Sequence, residues 1–328
     1  MKRLNIILAG VLAAQLLLAG MLFWNAERYT LAQPGQPLIV FARDQVDTIV
    51  IDTREEGSVT LRKGAEGWNL PSREGFPADA SKVDGFLVAL RDLRPRLPVA
   101  VTEGADQRFH VGSADFERRI TLKHGEDALA TLYLGDSAGP NEVFARSETG
   151  KAVYEIAFGL WQASIEPNQW MDRNVLQQKP RDIVRIDLPS FTLQRKDDKW
   201  QLAGLGNGAG TDAEEAARII DRLAHLTFED VQGKADQSIR APVPELSYTL
   251  TLQDGRTVKY RFSKAAQGDD YLLRTSADDY VFKVSKAVVA EIHDLKREAL
   301  VKQTKEEPAD KATTGADKGH TGNAASSS

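Results

Sequence analysis

The side chains of this sequence whose types could move protons are paired acids: Glu55-Glu56, Asp197-Asp198, Asp269-Asp270 and Asp278-Asp279. General acid–base work wants one carboxyl partly buried, so that its pKa rises while its neighbour stays ionised. All four pairs fall in stretches that read as turns, where carboxylates are solvated. A carboxylate-dependent hydrolase is therefore the least supported alternative. The five histidines (His110, His124, His225, His293 and His320) form no H-x-H or H-x-x-x-H pair. The chain has no cysteine, which removes thiolate zinc sites, iron–sulfur clusters and a cysteine nucleophile together. No G-x-S-x-G elbow is present. The run from Gly204 to Gly210 alternates glycine ahead of a helical pattern, in the manner of a phosphate loop. No Gly-Lys-Ser/Thr follows and no parallel strand–helix–strand unit surrounds it, so it reads as a plain loop. The expectation is a protein without a catalytic, metal or cofactor site.

Two aromatic and two basic positions remain. Trp68 and Trp200 end strand-like stretches in similar contexts and offer faces for stacking a sugar or another solute, although a core edge wants the same residue. Arg146 and Arg274 each sit between apolar neighbours, where an arginine pairs with an acid or meets an anionic partner. These four are the candidate ligand or partner contacts. Trp161 and Trp170 flank a Pro- and Asn-bearing connector and are expected to pack the junction.

The elements that must position these residues are written twice. Ile49-Val50-Ile51, Thr60-Leu61 and Trp68-x-Leu70 are answered by Ile183-x-x-Ile186, Thr192-Leu193 and Trp200-x-Leu202. Asp79, Val83, Phe86, Leu87, Leu90 and Leu93 are answered, in order and at one unvarying separation, by Asp212, Ala216, Ile219, Ile220, Leu223 and Leu226. Their spacing is the apolar stripe of an amphipathic helix. Asp79 is placed to cap the first helix, and Thr211 with Glu214 reads as a capping box on the second. Thr121-Leu122 matches Thr251-Leu252, and Arg146 matches Arg274 at a slightly shorter separation. The reading is α+β: two tandem repeats over 40–165 and 182–301, joined by a connector at 166–181. Each is a mostly antiparallel twisted sheet packed by one long amphipathic helix plus a short C-terminal helix.

The flanks give an address. Lys2-Arg3 precede Ile6 to Trp24, an apolar run in which only Gln15 is strongly polar. As a helix this run measures about 28 Å, enough for a hydrocarbon core of about 30 Å. Residues 1–28 therefore read as a retained single-pass anchor, with a cleaved signal peptide as the alternative. The leading cations put the N-terminus in the cytoplasm and the remainder in a bacterial periplasm. Residues 302–328 lack large apolar side chains and read as a disordered tail. A balance of 42 basic against 47 acidic residues argues against a nucleic-acid partner.

The Ile-x-Ile, Thr-Leu and Trp-x-Leu series, the capped helix and the connector Trp170-Met171-Asp172-Arg173-Asn174-Val175-Leu176 resemble the DUF4340 family over about residues 40–300. Members of that family are often encoded beside ABC-type transporter components and a gliding-motility-type auxiliary protein. The resemblance implies a non-enzymatic accessory or interaction protein of an envelope or ABC-type transport system, touching the inner membrane through residues 6–24 and a permease or auxiliary subunits. A periplasmic solute- or glycan-binding module is the alternative.

Overall fold

Alternation of apolar and polar residues builds two large antiparallel sheets. The computed structural model describes residues 35–55, 57–206, 209–235 and 243–303, together with Leu12 and Gln15. Apart from Leu12 and Gln15, the expected anchor lies outside these, as do all but the first two residues of the expected tail. Among the described residues no helix is long and apolar enough to cross a membrane.

The first sheet contains β1 (Thr48–Asp52), β2 (Ser58–Gly64), β3 (Gly67–Leu70), β4 (Phe76–Pro77), β5 (Pro98–Ala100), β6 (Arg118–His124), β7 (Asp127–Gly139), β8 (Glu142–Ser147) and β9 (Val153–Ile156). Its order is β4-β3-β2-β1-β6-β7-β8-β9-β5. Register places Ile49 between Leu61 and Leu122, and Ile51 between Val59 and Ile120. One face thus becomes a continuous apolar row, because directly opposed side chains touch. Helix α1 (Ala80–Arg91) buries Val83, Phe86, Leu87 and Leu90 in the same core. The Asp79 carboxylate caps it, accepting from the Ser81 and Lys82 amides. Helix α2 (Ala105–Arg108) is a single short turn within the β5–β6 connection.

The second sheet contains β10 (Ile183–Asp187), β11 (Thr192–Lys196) and β12 (Lys199–Leu202). After them come β13 (Ala209–Thr211), helix α3 (Ala213–Ala224), β14 (Asp230–Lys234), β15 (Leu246–Leu252), β16 (Thr257–Lys264), β17 (Tyr271–Thr275) and β18 (Tyr280–Val284). Helix α4 (Lys286–His293) and β19 (Val301–Gln303) close the described chain. The sheet order is β12-β11-β10-β15-β16-β17-β18-β14, while β13 pairs with β19 apart from it. In both sheets the strand after the long helix, β5 or β14, ends the sheet beside its last hairpin strand.

Several local expectations are corrected. Asp212, not Thr211, caps α3, accepting from the Glu214 and Glu215 amides. The Thr211 hydroxyl is taken by the Leu202 amide at 2.8 Å. Pairing with β13 draws Lys302 and Gln303 into a strand, past the expected boundary at 301. The short C-terminal helix expected in the first repeat is only a 3-10 turn, Leu160–Ala163. Trp161 is 71% exposed and packs no junction. Asp278 is not a solvated turn acid: it is half-buried, accepts from the Thr275 hydroxyl and the Tyr280 amide, and desolvation raises its pKa.

The connector welds the halves. Trp170 is fully buried, its indole donating to the Ser164 carbonyl at 2.9 Å and its ring edge-on to Phe86. The Asp79 amide donates to the Trp170 carbonyl, and the Asp172 amide to that of Pro77. Arg173 reaches the carbonyls of Phe228 and Asn168 and lies over the Phe228 ring. Partial burial depresses the pKa of Arg173 and of Lys82, which donates to the Gln169 carbonyl. Phe76 of the first sheet meets Phe228, Tyr280 and Phe282 edge-on. A bidentate pair, Arg73 to Asp230 at 3.0 and 3.1 Å, closes the rim. One buried cluster runs through both sheets.

Candidate functional site

The most elaborate polar arrangement lies on the face of the first sheet turned away from α1. Directly opposed residues on four strands form a row: Asp52, Arg119, Tyr133 and Arg146. Arg119 pairs with Asp52 at 2.8 Å. The Arg146 guanidinium stands 4.8 Å from the centre of the Tyr133 ring. The Tyr133 hydroxyl donates to Glu148. Desolvation, then that hydrogen bond, raises the Tyr133 pKa, so the phenol stays neutral.

The connection from β5 to β6 is laid over this row. Ala105, Phe109, Val111 and Phe116 form a second small core against Tyr133 and Val153. Arg146 donates to the Val111 carbonyl at 2.8 Å and to those of Ser147 and Gly150. Arg119 lies over the Phe116 ring. At the edge of this cover His110 adopts a left-handed backbone, φ 51°, a conformation non-glycine residues adopt at a cost. Its Nδ1 meets Asp136 at 3.0 Å, and its Nε2 faces Asp115 at 3.9 Å. Arg54 holds Asp115 at 2.6 Å. The Asp136 hydrogen bond, more than any other influence, raises the His110 pKa. A site with two carboxylates around one imidazole stores a proton and fixes a loop. Gly135 permits the approach, since a Cβ there would sit 1.9 Å from the Phe109 carbonyl oxygen.

The four residues singled out by spacing are not brought together. Trp68 and Arg146 lie in the first sheet, Trp200 and Arg274 in the second. Trp68 is buried in the core. Trp200 is half-buried and lines a groove of about 810 Å³ with Lys196, Lys199 and Gln201. Arg146 is satisfied by carbonyls and a ring instead of an acid. It also lines a cleft of about 370 Å³ with Glu103, Asp106 and Lys151. Arg274 stands directly opposite Arg261. The glycine run around Gly204 borders the Trp200 groove, and the helix after it carries the Asp212 carboxylate on its N-terminal amides, where a phosphate would have to bind. Among the described residues no three histidine, aspartate or glutamate side chains are grouped to hold a metal.

Another groove, of about 750 Å³, opens at the C-terminal end of α1, lined by Leu93, Arg94, Arg96, Leu97, Val99 and Phe158 among others. Leu97 is 72% exposed, Val99 46%. Trp161 stands beside its rim, bonded to Asn141 next to the lining residue Glu142. The Leu38 amide donates to the Leu93 carbonyl, tying the start of the described chain to this end.

The model of a family described as a domain of unknown function, DUF4340, matches residues 68–242. The chain belongs to the DUF4340 family. No curated protein and no solved structure matches it. In this DUF4340 protein the matched stretch carries α1, the cover over the first sheet, the welded connector and α3. His110, Asp136 and Tyr133 escape a sequence reading. No spacing marks His110, whose position depends on Gly135 from another strand. Tyr133 has a weak signal, standing to Arg261 at the same separation as Arg146 to Arg274.

Proposed function

We propose that this DUF4340 protein is a non-enzymatic interaction protein, anchored in a bacterial inner membrane through residues 6–24, with both sheets in the periplasm. Its partners are a permease or auxiliary subunits of an envelope or ABC-type transport system. The two sheets, on this reading, are one ancestral unit written twice. The observation that supports the reading best is the exposed apolar pair Leu97 and Val99 lining the groove at the end of α1, with exposed Trp161 beside it. Exposed large apolar side chains gathered at one groove mark protein contact surfaces. The polar groups of the first sheet's outer face are engaged in holding the fold, which fits recognition better than turnover.

The test is a photocrosslinking residue at Leu97 in intact membranes, followed by mass spectrometry. Adducts to transporter or auxiliary subunits are expected, and Trp161→Asp should remove them. A Leu97 probe that captures no membrane protein, or a chain released from membranes by alkaline extraction, counts against the reading. A second reading, solute or glycan binding, draws on Trp200 alone, because its ring lines an open polar groove whereas Trp68 does not. Loss of a cell-wall-fragment thermal shift in Trp200→Ala would favour it.

A further inference from the structure

Among the described residues, the outer faces of the two sheets differ in one respect that points to a partner. In the first sheet the row Arg119, Tyr133, Arg146 is covered by the chain's own segment 101–117, which supplies a carbonyl to Arg146 and an aromatic ring to Arg119. The offset that carries Arg146 onto Arg274 carries the whole row onto Ser247, Arg261 and Arg274. These are likewise directly opposed, on β15, β16 and β17. Here two guanidinium groups face each other across neighbouring strands. Like charges directly opposite destabilise a sheet. Lys259, two positions before Arg261 on β16, points to the same side of the pleat. None of the side chains of Lys259, Arg261 and Arg274 has an ion pair or hydrogen bond among the described residues. Acids around the same sheet are already engaged: Asp187 by Arg185 and Asp270 by Lys283, each at 2.8 Å.

We infer that Lys259, Arg261 and Arg274 form a docking face for an acidic segment of a partner protein, lying across β16 and β17 as segment 101–117 lies across β7 and β8. These three residues stand side by side on the open pleat of the adjacent strands β16 and β17, a layout that suits an extended segment better than an enclosed small molecule. Paired arginines match carboxylates, which accept from a guanidinium in bidentate fashion. A bilayer is disfavoured as the occupant. The exposed large apolar side chains lie off β15–β18, and the whole chain carries a net charge of −5. The inference rests on the interaction reading and names the chemistry of a partner.

The probe is a fluorescent glutamate-rich peptide of about a dozen residues with one phenylalanine, titrated by anisotropy against the full chain in neutral-lipid nanodiscs. Salt-sensitive binding is expected. The double variant Arg261→Gln/Arg274→Gln should weaken it at least about tenfold, the loss of one strong charge-assisted contact. Arg181→Gln, on an exposed arginine outside the patch, should leave it unchanged. Equal binding by the double variant and the parent overturns the inference. So does displacement of the peptide by low-millimolar glycerol 3-phosphate, which would identify a phosphate site. Peptide binding that survives when Leu97 crosslinks to nothing would separate this face from the transporter reading, leaving the face standing and the other reading fallen.

Discussion

At the scale of single residues, one left-handed non-glycine backbone, that of His110, lies in the cover over the first sheet. His110 combines a left-handed backbone with a carboxylate near each ring nitrogen, Asp136 from β7 and Asp115 from the loop, opposed by desolvation and then by Arg54. Because the folded pKa is raised, its contribution to stability is present in full below about 6.5. That contribution drains away as pH climbs through the raised value. An NMR titration should place the His110 midpoint above that of a free histidine. His110→Gln should flatten the fall of melting temperature on the alkaline side. A midpoint at or below the free value would refute the assignment. Arg146 and Arg274 were legible as special from their matched spacing, but their partners were not. One is satisfied by the carbonyl of Val111 in the cover and by those of Ser147 and Gly150 in its own hairpin, and the other faces a second arginine.

At the scale of elements, the helices were the most legible part. The stripes through Val83, Phe86, Leu87 and Leu90, and through Ile219, Ile220 and Leu223, are buried where the 3.6-residue period puts them. Their starts rest on carboxylates; Asp79→Ala should cost about 1 kcal/mol in chemical denaturation, and Asp212→Ala should lower the denaturation midpoint as well. Thr211 misled because Thr-x-x-Glu is a local signature, whereas its hydroxyl is claimed by the amide of Leu202 on a strand before it. The cover at 101–117 was invisible, since its apolar residues Phe109, Val111 and Phe116 follow neither period. Gly135→Ala tests it. The added methyl overlaps the Phe109 carbonyl, so a loss of about 1–3 kcal/mol is expected. Amide exchange should accelerate throughout 101–117. Unchanged protection there would mean that the cover does not depend on this approach.

At the scale of the whole molecule, two repeats suggested two domains, and a single core runs through both. Phe76, Trp170, Phe228 and Phe282 belong to one cluster, and Arg73, Glu74 and Tyr280 bridge the rim. Trp170, expected at the junction, is buried against Phe86 of the first half, and the connector's length alone did not distinguish a hinge from a weld. Calorimetry of the folded chain should show one transition with equal calorimetric and van't Hoff enthalpies. Trp170→Ala should lower its stability by about 3–5 kcal/mol. Two resolved transitions would show that the halves unfold separately.

The weld also sets a timetable for biosynthesis. Among the described residues Phe76 finds its ring partners in Phe228, Tyr280 and Phe282, and Tyr280 reaches the Glu74 carbonyl across 206 residues. At roughly 5–20 residues per second, about 10–40 s pass between the emergence of the two sides. Until then the first half exposes a sticky aromatic edge. A nascent chain of this design benefits from a holding chaperone until its second half is complete, and truncation shortly before Tyr280 leaves a first half with its edge open to aggregation.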